Sequence, residues 1–484
     1  MGRTCIRSTA VLLLLALAVS VFCSQAAASQ TAAGRAVFRK EPYLIFPGAM
    51  DEIQVLWQMQ TTASCTLDWG TDTTYSLGSA VTAEYGTEHQ HTHTLTGLTA
   101  GGHYFYRVRS GVSRTGSFRA APLPDATRLK FLAYGDTRSY PADYNAVAAQ
   151  MLTTLQADAD YQTIALLAGD LVNNGDLEAD WDGQFFPTAY SDINELHANV
   201  PTQAARGNHE RAAILYGKYF PYPYAMGLAW SFDYGPAHFV VVDQYIDYGP
   251  GSAQLQWIES DLATSRKPWK FLCYHEPGWS AGGGHENEIP VQDYLHPLCV
   301  QYGVQIAFAG HNHYYARAVV DGVHHVTTGG GGAPLRTPDP SYPYIVTAAE
   351  AYHFCKIEID GDQLIYEVIA HDGTLLDTFA MEHATDAPEW EATPAAIRSN
   401  APNPFSGGTT VRYFVPRAGH VGVRVYDVSG RFVATVVDEW REPGEHTAVW
   451  DGLDRNGQDC GSGVYFLNLE SNGSLASRKV VLAR

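Results

Sequence analysis

Cysteine is scarce in this chain and scattered. Seven occur in 484 residues. Cys5 and Cys23 fall in the leader described below, which leaves Cys65, Cys273, Cys299, Cys355 and Cys460. No Cys-x-x-Cys spacing is present, which argues against a thiolate zinc site. An odd number of single cysteines is not a disulfide framework; they read as buried small apolar residues, with room for one disulfide in an exported protein. Positive charge is also in deficit, with 31 Lys and Arg against 51 Asp and Glu, a net charge of −20 and a pI near 5.3. That balance argues against sequence-independent grip on nucleic-acid backbones, so no duplex binding is expected. A small phosphate-bearing substrate stays compatible with it, because bound cations reverse the local field. Long apolar runs are missing too: none reaches the ~20 residues that a transmembrane helix needs.

Glycine and tyrosine, by contrast, are abundant at 45 and 29 residues, which favours β-rich architecture with many turns. The length fits two to four domains. Residues 1–28 read as a signal peptide: Arg3 and Arg7 are basic, Ala10 to Phe22 is apolar, and Ala26-Ala27-Ala28 offers a small-x-small cleavage site. Residues 36–120 carry short alternating segments, among them Ile53–Trp57, Cys65–Trp69 and Tyr104–Val108. Turn residues separate them at regular intervals, the pattern of a β-sandwich. Its aromatics read as core. His89, His91 and His93 alternate along one strand and suit either a metal or a polar edge.

From residue 127 to 383 the texture turns to α/β. Apolar strands repeatedly end in Gly or a turn and then a polar residue: Gly135-Asp136, Gly169-Asp170, Gly207-Asn208-His209-Glu210, Tyr274-His275 and Gly310-His311-Asn312-His313. Each alone is an ordinary turn or cap. Together they place Asp136, Asp170, Asn208, His275, His311 and His313 at the carboxyl ends of strands, where α/β sheets gather ligands. Oxygen and nitrogen donors without thiolate suit Fe, Mn, Zn or Mg. A carboxylate bridging two such ions would activate water and clamp both oxygens of an in-line phosphoryl displacement.

This series resembles the calcineurin-like metallophosphoesterase superfamily. With the sandwich before it, which resembles a fibronectin type III-like module, it is similar to the purple acid phosphatase branch. The resemblance implies two divalent or trivalent ions (Fe, Mn, Zn or Mg), with Asp170 bridging, Asp136 and His313 at one ion, and Asn208, His275 and His311 at the other. It implies that His209 contacts the phosphate or protonates the leaving group, and that His285 is either a substrate-side histidine or an exposed loop residue. Two positions depart from the pattern. Arg138 stands where many members place a ligand His, and Asn173 where purple acid phosphatases place a ligand Tyr. Arg138 reads either as a phosphate contact or as a structural ion pair. Without the tyrosinate, the purple colour is not expected.

Residues 384–397, rich in Pro, Ala and acid, read as a linker. Residues 398–484 alternate cleanly and resemble the Ig-like C-terminal domain of type IX secretion cargo and hook-capping proteins. The expected fold is therefore multidomain. It comprises a β-sandwich, an α/β metallophosphoesterase four-layer sandwich with two mixed sheets flanked by helices, and a C-terminal Ig-like β-sandwich. The expected function is a secreted or cell-surface phosphoesterase hydrolysing small phosphate monoesters by attack of a metal-held hydroxide, with a diesterase or nucleotidase as the alternative. The C-terminal domain implies outer-membrane secretion machinery as a partner. From another class comes a surface binding or adhesion protein on a catalytically impaired scaffold, which the two departures favour.

Overall fold

The computed structural model describes residues 37–383 and 395–484, apart from residues 87, 417, 472 and 473. The expected signal peptide and residues 384–394 of the expected linker lie outside the described residues. The chain forms two compact units, residues 1–383 and 384–484.

The first unit opens with β1 (Phe38–Ile45), β2 (Ile53–Met59), β3 (Cys65–Gly70), β4 (Gly78–Thr82), β5 (Gln90–Leu95), β6 (His103–Ser110) and β7 (Val112–Arg119). They fold as two layers, β1-β2-β5 and β4-β3-β6-β7. The three histidines of this module do not converge. His91 is buried and stacks on Trp57, His93 sits by Trp69, and His89 pairs with Glu84.

Next come β8 (Arg128–Tyr134), α1 (Pro141–Ala157), β9 (Ala165–Leu167), α2 (Ser191–Asn199) and β10 (Thr202–Ala204). These are followed by β11 (Trp230–Tyr234), β12 (Ala237–Val241), α3 (Ala253–Thr264), β13 (Trp269–Cys273), α4 (His296–Tyr302) and β14 (Ile306–Ala309). Then β15 (Tyr315–Val320), β16 (Val323–Thr328), β17 (Ile345–Ala349), β18 (His353–Asp360), β19 (Gln363–Ala370) and β20 (Leu375–Glu382) complete the unit.

Two mixed sheets result. One runs β20-β19-β18-β8-β9-β10-β1-β2-β5 and the other β11-β12-β13-β14-β16-β15-β17. The strands of the second sheet alternate by face. Phe239, Phe271 and Phe308 point inward and meet Phe131 of the first sheet at ring-centroid distances of 5.2, 5.3 and 6.4 Å. Val240, Leu272 and Ala307 point outward and pack with Ile258 and Leu262 of α3 and Leu298 of α4. Burying large apolar side chains at about 1.5–3 kcal/mol each holds these layers together.

The N-terminal module is fused to the central one. Strand β1 pairs in parallel with β10 through Ile45 and Thr202. The Tyr43 and Tyr106 hydroxyls each donate to backbone carbonyls beyond the module, those of Tyr219 and Ala198. Lys40 is fully buried and reaches Glu178 at 2.7 Å and Asp182 at 2.5 Å. The physical reason lies in residues 43–46, Tyr-Leu-Ile-Phe, which are all buried. An exposed sandwich edge would alternate; this one is covered on both faces.

The five described cysteines are free, four buried and Cys460 partly so, and no disulfide joins them. The second unit is a sandwich of a three-stranded sheet and a four-stranded sheet. Its first strand starts at Ala396, and Val411, Tyr413, Val423, Trp450 and Leu467 fill its core. Among the described residues no helix is long and apolar enough to cross a membrane.

Candidate metal centre

The six expected ligands come from the ends of five strands in two sheets. Asp136, Asp170 and Asn208 follow β8, β9 and β10, which lie side by side in parallel. His275, His311 and His313 follow β13 and β14, also parallel neighbours. Because the sheets pack face to face, their carboxyl ends meet. Three of these residues, Asp136, Asp170 and His311, have φ values of 57°, 55° and 69°. That left-handed conformation is one that Asp and His tolerate better than most residues. Each costs of order 1–3 kcal/mol and persists where the surroundings fix it. It turns the chain sharply off the strand end and aims the side chain back over the sheet.

Four ligand atoms converge on one point. His275 Nε2 lies 3.2 Å from Asp170 Oδ1 and 3.1 Å from Asn208 Oδ1, and His311 Nδ1 lies 3.1 Å from Asn208 Oδ1 and 3.2 Å from His275 Nε2. Donors about 2.0–2.2 Å from one ion lie about 3.0–3.5 Å apart, so the spacing fits a metal. The chemistry of the set fits as well. His275 Nδ1 donates to Ala168 O at 2.7 Å, so Nε2 presents a lone pair. It faces a carboxylate oxygen, an amide oxygen and a second imidazole nitrogen. Acceptors so arranged repel one another unless a cation sits among them. Burial alone would lower His275, yet the Asp170 carboxylate beside it pushes its pKa up to about 10, so a metal ion binding there has to displace a proton from Nε2. Burial, with neighbouring charge, drops His311 to about 2 and His313 to about 4, keeping both rings neutral as ligands must be. Burial works against ionising Asp170, but His275 and His209 hold its carboxyl well below the usual range.

The other half of the centre is arranged differently. His313 Nδ1 donates to Pro334 O at 2.7 Å, so its Nε2 lone pair faces the cleft, 3.6 Å from Asp136 Oδ1. Asp136 is fully buried and accepts from the His311 backbone N–H. Burial raises its pKa, with His275 opposing and Asp170 adding to the rise. Between these groups lies the guanidinium of Arg138. Its Nε is 3.2 Å from Asp170 Oδ2 and its Nη2 is 3.1 Å from His313 Nε2. Arg138 thus engages two of the three donor groups of that set.

His209 borders the same cleft. Its Nδ1 donates to Asn173 O at 2.6 Å, its backbone N–H to Asp170 Oδ1, and its Nε2 lies 3.9 Å from Asp170 Oδ2. His285 is exposed, with its ring centroid 3.8 Å from that of His311. Both therefore sit on the open side, next to the exposed Asn208.

Several residues that sequence reasoning passed over hold this frame. The buried Glu210 carboxylate accepts from the backbone N–H groups of Gly207, Asp170 and Leu171 at 2.6, 3.0 and 2.8 Å. Gln244 Oε1 accepts from the N–H groups of His275 and Glu276. Asn312, buried between the two histidines of its motif, accepts from His285 N and donates to Ser280 Oγ. Glu210 and Asn312 lay inside recognised motifs, and their conformity to those motifs was the only available signal. A methyl group at Gly310 would overlap Asp136 Oδ2, and one at Gly207 would overlap Asp170 Oδ1.

Comparison with known proteins agrees with this geometry. Residues 129–315 match the family described as Calcineurin-like phosphoesterase, and residues 401–474 match the FlgD Ig-like domain. Purple acid phosphatase 23 of Arabidopsis thaliana is 29% identical over 184 residues, 35% of this chain and 38% of that protein. A nucleotide pyrophosphatase/phosphodiesterase of Hordeum vulgare is 25% identical over 324 residues, 55% of this chain and 86% of that protein. Among solved structures, purple acid phosphatase PPD1 from yellow lupin (Lupinus luteus) seeds superposes with a TM-score of 0.61 at 22% identity, over 70% of this chain and 74% of that one, a likeness of fold. The chain spans less than half the length of the first two curated relatives it matches, 38% and 48%. Residues 129–315 thus match the Calcineurin-like phosphoesterase family, in a chain similar to plant purple acid phosphatases over part of their length and matching the FlgD Ig-like domain over residues 401–474.

Proposed function

We propose that this protein is an exported, metal-dependent phosphoesterase that hydrolyses small phosphate monoesters. The observation that carries the reading is the convergence of Asp170 Oδ1, Asn208 Oδ1, His275 Nε2 and His311 Nδ1, four acceptor atoms that need a cation among them. An ion held there would supply Lewis-acid polarisation of a phosphoryl oxygen and would lower the pKa of a water beside it. The chain's own groups do the rest. Asp170 is locked by Glu210 through its own N–H and by His209 through its carboxylate, so the ligand atoms are placed before substrate arrives. His209, with Nδ1–H tied to Asn173 O, turns Nε2 to the cleft and in its protonated form donates to the leaving oxygen. Arg138 supplies a fixed positive charge beside Asp170, and His285 faces substrate from the open side.

The test pairs metal content with turnover of an aryl phosphate and a bis-aryl phosphodiester. Asp170→Asn loses both metal and turnover. His209→Asn keeps its metal and loses about 10²–10⁴-fold in rate on esters with poor leaving groups. A wild-type protein that is inert with Mn, Fe, Zn and Mg would overturn the enzyme reading in favour of a binding protein on an impaired scaffold. The diesterase reading draws on one observation, the barley phosphodiesterase match that covers most of that relative. It wins if the diester is the faster substrate. Export is supported by the leader pattern of residues 1–28 and by the FlgD Ig-like match. Residues 26–28 should flank the mature N-terminus found by Edman sequencing of material from the medium or cell surface.

A further inference from the structure

We propose that the Arg138 guanidinium replaces one of the two metal ions, so that the centre holds one exchangeable ion beside a built-in organic cation. This rests on the phosphoesterase reading and departs from the two-ion expectation.

The argument is one of shared donor atoms. An ion at the first position would draw on Asp170 Oδ2, His313 Nε2 and Asp136. Arg138 already uses the first two, through Nε at 3.2 Å and Nη2 at 3.1 Å. The tautomer agrees: with Nδ1–H donated to Pro334 O, His313 Nε2 accepts a hydrogen bond from the guanidinium N–H. The Arg138 side chain is only 13% exposed, enclosed by the residues that it bonds.

The second departure serves the first. Asn173, where a ligand Tyr was expected, presents Oδ1 to Arg138 Nη1 at 3.3 Å, and Ser139 Oγ lies at 3.3 Å from the same nitrogen. The two loops are clamped together by Gln184, whose Oε1 accepts from both Ser139 N and Asn173 N. Hence the two positions that depart from the family pattern touch each other and form one cradle. A tyrosine offers no amide oxygen to a guanidinium, and a histidine at 138 offers Asp136 and Asp170 no charge that is independent of pH.

Two carboxylates, both buried, would face one divalent ion and one guanidinium, a surplus of one positive charge that suits an anionic substrate. A guanidinium is charged at any working pH and its planar donors match oxygen acceptors. The built-in cation is also immune to chelators, which the ion is not.

The experiment counts metal rather than activity. Full-length protein, stripped and then dialysed against excess Mn(II) or Zn(II), is analysed for ions per chain. One ion is expected, with an isolated-ion Mn(II) resonance signal. His313→Ala should leave the count at one. The double variant Arg138→His, Asn173→Tyr should take two ions, show exchange coupling, and gain a visible tyrosinate band with Fe(III). Two ions in the wild type, falling to one in His313→Ala, would overturn the inference while leaving the phosphoesterase reading intact. No ion at all would overturn both. If the double variant fails to fold, the wild-type and His313→Ala counts decide the matter alone.

Discussion

Glu210 never faces the substrate, yet its replacement should disable the centre. Its carboxylate accepts from three backbone N–H groups, at Gly207, Asp170 and Leu171, and so ties the loop after β9 to the loop after β10. Those loops carry Asp170 and Asn208. Each hydrogen bond to a charged acceptor is worth about 1.5–3 kcal/mol, and each orphaned buried N–H costs about 1–3 kcal/mol. Glu210→Gln keeps one oxygen, enough for two of the three donors, but turns an NH₂ toward the third. The expected loss is about 2–3 kcal/mol. Glu210→Ala orphans all three and should cost at least about 3 kcal/mol. Because the bonds sit at the ligand loops, the loss should concentrate there. Hydrogen exchange in metal-free protein should accelerate in peptides covering residues 166–175 and 204–211, and the Mn(II) dissociation constant should rise by about tenfold or more for Glu210→Gln, the factor that 1.4 kcal/mol represents. Protection elsewhere, for instance in β13, should hold. Unchanged exchange at those loops together with unchanged affinity would refute the positioning role.

Gly310→Ala should lower metal affinity without removing a ligand atom, because the new methyl overlaps Asp136 Oδ2; isothermal titration with Mn(II) checks this. Lys40→Met should cost about 1–3 kcal/mol in urea unfolding, since Glu178 and Asp182 lose the buried one of their two cations and keep Arg39, whose Nε lies 2.7 Å from Asp182. His238 bridges Asp233 at 2.8 Å and Asp261 at 3.0 Å, with Lys267 3.9 Å from Asp233. Burial lowers its pKa, but the two carboxylates outweigh that and raise it. Its contribution is therefore full below the unfolded value of about 6.5 and lost as pH climbs through the raised folded value. His238→Gln should cost about 1.5–3 kcal/mol at pH 5 and clearly less at pH 9; equal losses at both would refute the assignment.

Much of the centre was legible because strand ends obey simple rules. A short apolar strand, a glycine and then a polar residue is a local pattern. The parallel order of β8, β9 and β10, and of β12, β13 and β14, follows from the intervening helices. What was not legible was long-range. The join between β1 and β10 spans more than 150 residues and rests on a run, Tyr43 to Phe46, too short to distinguish a buried edge from an ordinary strand. Ala395 and Ile397 are likewise buried in the second unit's core, although their composition reads as linker. The His89, His91 and His93 series shows the reverse error risk: period-2 spacing groups them, but a left-handed residue at His89, with φ of 63°, takes it off the strand.

Arg138 and Asn173 show why a departure from a pattern carries more than its two halves. Read singly in sequence, each is a lost ligand, and two losses count against a working centre. In the fold they are 3.3 Å apart through Nη1 and Oδ1, and each accounts for the other. Losing two ligands by drift would leave Asp136 buried, with its only fixed neighbours a backbone N–H and a neutral imidazole, and burial that deep penalises an unpaired carboxylate by several kcal/mol. A guanidinium beside Asp170, held by an asparagine and a serine, places positive charge where that penalty arises. The centre is thus compensated rather than depleted, and the strained ligands at Asp136, Asp170 and His311, which persist only under load, are consistent with a site still built to hold charge.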